Sequence, residues 1–336
     1  MKRIKIAQIG TSAYSHGSSI FASLLKQSDI FEVVGYALPE NEREKFPKQV
    51  KVFDGYREMT VDEILNDPEI EAVAVETEEI YLLKYAIPVA KAGKHLHMEK
   101  PGSPSLSDFR ALIDILKEKK LAFTTGYMYR FNPKVKEAIE RVRRGELGRI
   151  FSVEAQMNCK HSNEMRAWLE CFPGGMTFFL GCHLIDLVYR IMGEPREIIP
   201  LSAATGIDGE VTLDYGMAVF KYENGVSFIK TTDCEVGGFL RRQLVITGER
   251  GSIEICPLEY YPHLPESDAQ LTVMRECFDV ATWQAEWKES RSEEFDRYDA
   301  MMRNFAEIVR GKENPYPYDY ELKLFELILK ACGKEI

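Results

Sequence analysis

A lysine and a histidine stand in short motifs that suit proton and charge transfer. Lys100 lies in Glu99-Lys100-Pro101, directly after the stretch 95–98. The proline excludes the helical region for Lys100, so that a strand ends there in a fixed turn. Ligands of open α/β sheets bind at the carboxyl ends of strands, and a lysine there stabilises a developing alkoxide or holds a hydroxyl. Taken alone, however, a lysine is more often a solvated surface residue.

His183 precedes apolar residues at 184, 187, 188 and 191, the spacing of a helix with one buried face. A histidine near the start of that helix is a candidate general base. Without further context, a core or capping histidine is the more common case. Arg130, in GYMYRFNP at 126–133, is open to two interpretations, a surface arginine or a strut between domains.

The turn GTSAYS, Gly10 to Ser15, follows the apolar run Ile4–Ile9 and precedes a predicted helix. A dinucleotide-binding turn has G-x-G-x-x-G at this place, whereas the frame here reads G-x-S-x-x-S. Backbone N–H groups and the helix dipole remain available to a phosphate. Serine loses only the close approach that glycine allows, so the pattern predicts either a retained or a weakened dinucleotide site.

The elements that must position these residues change in rhythm along the chain. Residues 1–126 alternate strand and helix patterns, which predicts a Rossmann-type doubly wound parallel sheet. From about residue 149 strands follow one another with hairpin signals, which predicts an α+β domain on a large, mainly antiparallel open sheet. We place the division so that residues 1–128 form a nucleotide-binding-type domain and residues 129–336 form the α+β domain. The predicted elements are strands at 4–9, 32–37, 50–53, 72–76, 95–99, 122–126, 150–156, 217–222, 226–232, 244–247 and 252–255, and helices at 17–26, 61–66, 80–92, 107–120, 292–309 and 320–331.

Composition limits the partners. The net charge of −10 over 336 residues argues against nucleic acid and anionic membranes. No apolar run approaches the ~18 residues of a membrane span, and the N-terminus has no signal-peptide pattern. Seven cysteines without a C-x-x-C pair predict reduced thiols, a cytoplasmic protein and no metal site.

These motifs together resemble the Gfo/Idh/MocA oxidoreductases. The resemblance rests on the opening turn, AGKH…EKP at 92–101, GYxxRFNP at 126–133, GELGRI at 145–150, GGxxxxxGCHLID at 174–186 and TGERGSIEI at 247–255. It implies NAD or NADP as cofactor, a sugar, polyol or sugar derivative as substrate, and a homodimer or homotetramer. It implies Lys100 and His183 as catalytic residues, and as substrate-binding residues Tyr127, Arg130, Trp168 and His183. The implied cofactor-binding residues are Gly10, Thr11, Ser12, Ala13, Tyr14, Leu38, Thr77, Glu99 and Lys100.

The sequence departs from the family pattern at functional places. Leu38 stands where the family has an acid that binds the adenosine ribose. Glu40 could replace that acid from the following loop. Arg43 or Lys45 could instead bind the 2′-phosphate of NADP, which favours NADP. Glu78 and Glu79 replace Pro-Asn and would repel a pyrophosphate unless they point to solvent. Many members have an aspartate four residues before the histidine, and this chain has Phe179 there.

Three functions remain open from the sequence. The first is an NAD(P)-dependent oxidoreductase. The second is a non-catalytic ligand sensor or partner-binding protein with a degraded cofactor site. The third is elimination or hydrolysis assisted by tightly held NAD.

Overall fold

The computed structural model describes residues 2–209, 211–264, 267–278 and 286–336. The chain forms two compact units, Met1–Tyr127 with Tyr298–Phe325, and Met128–Arg297 with Glu326–Ile336. The sequence-based division assigned all of residues 129–336 to one domain. In the structure the segment Tyr298–Phe325 belongs instead with the first unit.

The first unit is built on a five-stranded sheet in which every neighbouring pair is parallel, as predicted. The strand order is β2-β1-β3-β4-β5. Because β2 and β3 lie on opposite sides of β1, the order reverses next to β1, and ligands of such sheets bind at that point. The strands are β1 (Ile4–Ile9), β2 (Phe31–Ala37), β3 (Ala72–Val75), β4 (His95–Met98) and β5 (Phe123–Thr125).

Helices connect these strands, and the one at Val61–Asn66 begins at the cap that the sequence predicts. Thr60 and Glu63 form the capping box of α3, which satisfies two backbone N–H groups at the helix start. The helices are α1 (Gly17–Lys26), α2 (Glu42–Lys45), α3 (Val61–Asn66), α4 (Leu82–Lys91) and α5 (Leu106–Lys119). The strand predicted at 50–53 is wrong, because Gln49–Phe53 is a 3-10 helix. Its apolar residues Val50 and Phe53, one 3-10 turn apart, both pack into a cluster with Phe21 and Tyr36.

The second unit contains an eight-stranded sheet in the order β13-β12-β11-β10-β6-β9-β8-β7. The β6–β9 pair is parallel and the other neighbouring pairs are antiparallel, which confirms the predicted mainly antiparallel sheet. The strands are β6 (Ile150–Asn158), β7 (Glu197–Pro200), β8 (Tyr215–Tyr222), β9 (Gly225–Thr232), β10 (Gln243–Gly248), β11 (Gly251–Ile255), β12 (Val273–Phe278) and β13 (Lys288–Arg291).

The longest of the helices on this sheet packs against its two parallel strands. That helix is α9, which contacts β6 and β9. The helices that follow β5 along the chain are α6 (Pro133–Arg143), α7 (Asn163–Trp168), α8 (Met176–Phe179), α9 (Gly181–Met192), α10 (Asp299–Val309) and α11 (Tyr318–Ala331). Within the described ranges, every helix is too short or too polar to span a bilayer.

Candidate functional site

The Gly10 turn lies where the strand order of the first sheet reverses. Gly10 follows β1 with φ +80°, and a Cβ built on it would stand 2.3 Å from Cγ2 of Thr77. Thr77 comes two residues after β3 ends. Both the positive φ and the close approach to Thr77 require glycine. They explain why residue 10, the first glycine of the dinucleotide-type turn, is a glycine.

Two serine side chains occupy the backbone donors of this turn. The N–H groups of Tyr14 and Ser15 donate to Oγ of Ser12 at 3.1 and 2.7 Å. The N–H of Ser12 donates to Oγ of Ser15 at 3.1 Å, and that hydroxyl donates to the carbonyl of Glu76 at 3.0 Å. Since a bound diphosphate uses such N–H groups, the serine hydroxyls compete with it.

The turn still fits a dinucleotide. The hydroxyl of Thr11 is buried and has no hydrogen-bond partner in the described part of the chain, so it can serve a ligand oxygen. Residues Gly10, Thr11, Ser12, Ala13 and Tyr14 would hold the diphosphate at the start of α1. The backbone N–H groups of Ser12, Tyr14 and Ser15 can donate to a diphosphate only after their hydrogen bonds to the two serine hydroxyls break.

The residues near the end of β2 are largely paired within the protein. Leu38 packs against the Phe21 cluster. Arg43 donates to Glu58 at 2.5 Å and to the hydroxyl of Tyr36 at 2.7 Å. The ammonium groups of Lys45 and Lys84 pair with Glu78 and Glu40 at 3.2 and 2.5 Å. A 2′-phosphate at this position would therefore have to compete with a carboxylate for each of the two predicted cations, Arg43 and Lys45.

Lys100 is buried after β4 and is not a solvated surface lysine. Its side chain is 1% exposed, and its Nζ lies 3.6 Å from Oε1 of Glu79. The carboxylate of Glu99 accepts hydrogen bonds from the backbone N–H of Lys100 at 2.8 Å and of His16 at 3.2 Å. Burial fixes the ammonium in one place, as an electrostatic catalyst requires.

Three buried carboxyl groups surround this lysine. Glu76 and Glu79 are fully buried and Glu99 is 1% exposed. Burial raises the pKa of Glu79 to about 7 although Lys100 lowers it, and burial also raises the pKa of Glu76 well above its usual range. Neither Glu78 nor Glu79 points to solvent, because Glu78 is buried and pairs with Lys45, and Glu79 is buried and faces Lys100.

His183 lies buried in the first turn of α9. Its ring stands edge to face with the ring of Tyr129, at a centroid distance of 5.1 Å. The hydroxyl of Tyr129 donates to Oε1 of Glu259 at 2.5 Å. Arg242 and Arg297 also donate to this carboxylate, at 2.8 and 2.5 Å.

The charge on Glu259 fixes Tyr129 beside His183. Burial raises the pKa of Glu259, but the positive charges of Arg297 and Arg242 outweigh burial and leave the pKa below its ordinary value. The ionised carboxylate therefore accepts the tyrosine hydroxyl throughout the neutral range. Sequence reasoning missed Tyr129, Glu259 and the two arginines, and the only signal was the position of Tyr129 inside GYMYRFNP.

Two family profiles match this chain. The profile described as "Oxidoreductase family, NAD-binding Rossmann fold" covers residues 4–127, and that described as "GFO/IDH/MocA C-terminal domain" covers residues 135–254. The chain belongs to the Gfo/Idh/MocA family. Its first unit is the NAD-binding Rossmann fold of these oxidoreductases, as the motifs predicted.

Two curated proteins and one solved structure are similar to this chain. The oxidoreductase YhhX of Escherichia coli is 32% identical over 142 residues, which are 41% of this chain and 40% of that protein. Myo-inositol 2-dehydrogenase of Thermotoga maritima is 24% identical over 253 residues, 73% of this chain and 74% of that protein. Levoglucosan dehydrogenase, solved with NADH and levoglucosan, superposes with a TM-score of 0.78 at 19% identity, over 100% of this chain and 98% of that chain. At this identity the superposition establishes the fold alone.

Phe179 lies among aromatic side chains. The phenylalanine is buried at the end of α8 and packs edge to face against Trp168 at 5.5 Å and His161 at 6.4 Å. Trp168 also packs against Phe172 at 4.9 Å. The structure thus brings the predicted substrate residue Trp168 against Phe179 rather than against a carboxylate.

Arg130 is an internal brace of the second unit. Its Nε and Nη2 donate to the carboxylate of Asp186 at 3.0 and 2.8 Å, and both side chains are buried. This pair ties the 3-10 turn Met128–Phe131 to α9, the helix of His183. Tyr127, the last residue of the first unit, is 2% exposed.

Asp214, Asp233 and Cys234 lie close enough to share a cation. Arg166 already supplies a positive charge to this group, with Nη2 2.7 Å from Asp214 and Nε 3.5 Å from Asp233. Burial raises the pKa of the Cys234 thiol to about 12, so the sulfur stays protonated. The group is an arginine-centred ion cluster.

Proposed function

We propose that this protein is an NAD(P)-dependent oxidoreductase that transfers a hydride between a nicotinamide cofactor and a sugar, polyol or sugar derivative. Membership of the Gfo/Idh/MocA family supports this proposal. The activities in the names of the inositol and levoglucosan relatives support a polyhydroxylated substrate. The observation that carries the proposal is the burial of Lys100 at the carboxyl end of a Rossmann strand.

Each proposed residue has a defined task. A bound nicotinamide would supply the hydride chemistry. Lys100 would hold the substrate hydroxyl and steady the charge that develops on its oxygen. His183, oriented by its contact with Tyr129, would take the hydroxyl proton. Tyr127 and Trp168 would contact the substrate, and Arg130 would brace the site.

We propose that NADP(H) binds at least as well as NAD(H). Leucine at position 38 cannot accept hydrogen bonds from the two ribose hydroxyls, so the usual advantage of NAD is missing. Arg43 and Lys45 are the candidates for a 2′-phosphate that the sequence offers, but each is already paired with a glutamate.

A second function is favoured by one observation, the occupied donors of the Gly10 turn. A protein in which these donors never release would keep the fold and sense a ligand without redox turnover. The two functions differ in whether any nicotinamide nucleotide binds.

The test is a thermal-shift series with NAD⁺, NADH, NADP⁺ and NADPH, followed by hydride transfer with a panel of sugars and polyols. A ligand of the native state raises the apparent stability. A shift with at least one nucleotide and turnover with at least one polyol are expected. The absence of any shift would overturn the oxidoreductase proposal in favour of the sensor.

We also propose that the protein is a homodimer or homotetramer joined through the second-unit sheet. Ile229 and Thr231 of β9 lie on the face that packs near Gly181 of α9. The opposite face carries Val226, which is 51% exposed, and Phe228, which pairs with Val219 and Glu154 on the neighbouring strands. Light scattering that gives a monomer at micromolar concentration would refute this assembly.

The seven cysteines support a reducing compartment, and we propose the cytoplasm. All seven lie within the described residues, and none of them is in a disulfide. Extracellular proteins more often pair their cysteines. Localisation of the tagged protein in its own cell tests this proposal, and an extracellular location would contradict it.

A further inference from the structure

The end of β3 places a carboxyl group against the catalytic lysine. Glu79 is fully buried, and its Oε1 lies 3.6 Å from Nζ of Lys100. Within the described residues, neither carboxyl oxygen of Glu79 makes a hydrogen bond of normal geometry. The polar contact that the structure describes for the Glu79 carboxyl group is therefore the one with the ammonium of Lys100.

We propose that Glu79 is a positioning residue that sets the location and charge state of Lys100 during hydride transfer. This proposal rests on the proposed function of Lys100. Glu79 in its carboxylate form holds the ammonium in place. Once protonated, Glu79 no longer does so.

The surroundings of Glu79 allow this change near neutral pH. Lys100 faces it as a cation, and Glu99, Glu78 and Glu76 surround it as carboxyl groups. Glu78 is itself paired with Lys45. Burial raises the pKa of Glu79 to about 7, against the lowering effect of Lys100, so both protonation states are populated at neutral pH.

A titration without substrate or cofactor tests the coupling. The protein is labelled with ¹³C at the glutamate carboxyl carbons, and its spectra are recorded from pH 4 to pH 10. We expect one resonance that titrates near neutrality, disappears in Glu79→Gln and titrates at higher pH in Lys100→Met. A Glu79 resonance that titrates as an ordinary surface glutamate, or that ignores Lys100→Met, would overturn the proposal.

The pH dependence of turnover tests the role in the reaction. Glu79→Gln should lower kcat at least tenfold, about 1.4 kcal/mol, and should remove an ionisation from the acid limb of kcat/KM. Glu79→Asp should keep that ionisation, and Glu69→Gln, an exposed partner of Lys5, should change nothing. An unaltered acid limb in Glu79→Gln would contradict the role. Absence of turnover in the unaltered protein would instead contradict the proposed function, while the titration still decides whether Glu79 and Lys100 are coupled.

Discussion

Ser12 and Ser15 exchange hydrogen bonds across the Gly10 turn. The N–H of Ser15 donates to Oγ of Ser12 at 2.7 Å, and the N–H of Ser12 donates to Oγ of Ser15 at 3.1 Å. A turn that binds phosphate through its backbone needs those N–H groups free. The two serines thus stabilise the ligand-free conformation of the turn relative to the phosphate-bound one.

Replacing Ser12 with glycine should therefore tighten cofactor binding. The N–H groups of Tyr14 and Ser15 lose their internal acceptor, and each such hydrogen bond is worth about 0.5–1.5 kcal/mol. We expect the Kd of the preferred nucleotide, measured by calorimetry, to fall about three- to tenfold. Ser18→Gly, which makes the same substitution in the first turn of α1, is the control. Weaker binding by Ser12→Gly would show that the serine hydroxyl donates to the phosphate.

Replacing Leu38 with aspartate should shift preference toward NAD(H). The new carboxylate follows β2, where an acid accepts hydrogen bonds from both ribose hydroxyls and repels a 2′-phosphate. Calorimetry with both nucleotides should give a change in the affinity ratio of about tenfold or more. Leu38→Asn, of equal size and without charge, should change the ratio much less. Equal ratios in the two variants would contradict the argument from Leu38.

Much of the fold could be predicted because local signals agreed with the tertiary structure. The strand at 4–9 and the helices at 17–26 and 61–66 have the predicted bounds. The strand β13 was missed because Lys288–Arg291 contains no apolar residue. It forms by pairing with β12, which no local pattern reveals.

The candidate site was chosen from its motifs, and the buried charges around it could not be predicted. Lys100 and His183 remain predictions from EKP and GCH. From the sequence, Glu79 was expected either to repel a pyrophosphate or to point to solvent, and only the packing around it shows that the group is buried beside Lys100. Glu259 lies 130 residues from Tyr129 along the chain, so its role as the acceptor of the tyrosine hydroxyl depends on tertiary contacts alone.

Replacing Glu79 with glutamine should stabilise the protein at alkaline pH. The folded pKa of about 7 lies above the ordinary value of 4.5, so the native state holds a proton that the unfolded state releases between these values. Stability is therefore lost as pH rises through this window, and the variant avoids that loss. We expect a gain in the free energy of unfolding of roughly 2–4 kcal/mol at pH 8 and little gain at pH 4. Urea denaturation at pH 4 and pH 8 measures this gain. A variant less stable than the unaltered protein at pH 8 would refute burial as the cause of the raised Glu79 pKa.

Replacing Glu259 with glutamine should destabilise the second unit. Arg242 and Arg297 would lose their buried counter-charge, which costs about 3–5 kcal/mol. Because the pKa of Glu259 is lowered in the folded protein, its contribution is present above the ordinary glutamate pKa and is lost as pH falls below it. Urea unfolding should show the deficit at pH 7 and a smaller one at pH 4.

The control for this prediction is Glu254→Gln. Glu254 is 3.6 Å from Arg275, and both side chains are substantially exposed, so its loss should cost less than about 1 kcal/mol. If the two substitutions lowered the free energy of unfolding equally, the Glu259 cluster would contribute no more to stability than an exposed ion pair.

The role of Lys100 is tested most directly by hydride transfer in Lys100→Met, followed through nicotinamide absorbance with the best substrate of the sugar and polyol panel. Loss of a buried group that stabilises an oxyanion should lower kcat/KM by more than about 10²-fold. His183→Asn should cost a similar factor as a lost general base. Near-full activity in Lys100→Met would contradict the assignment of the site.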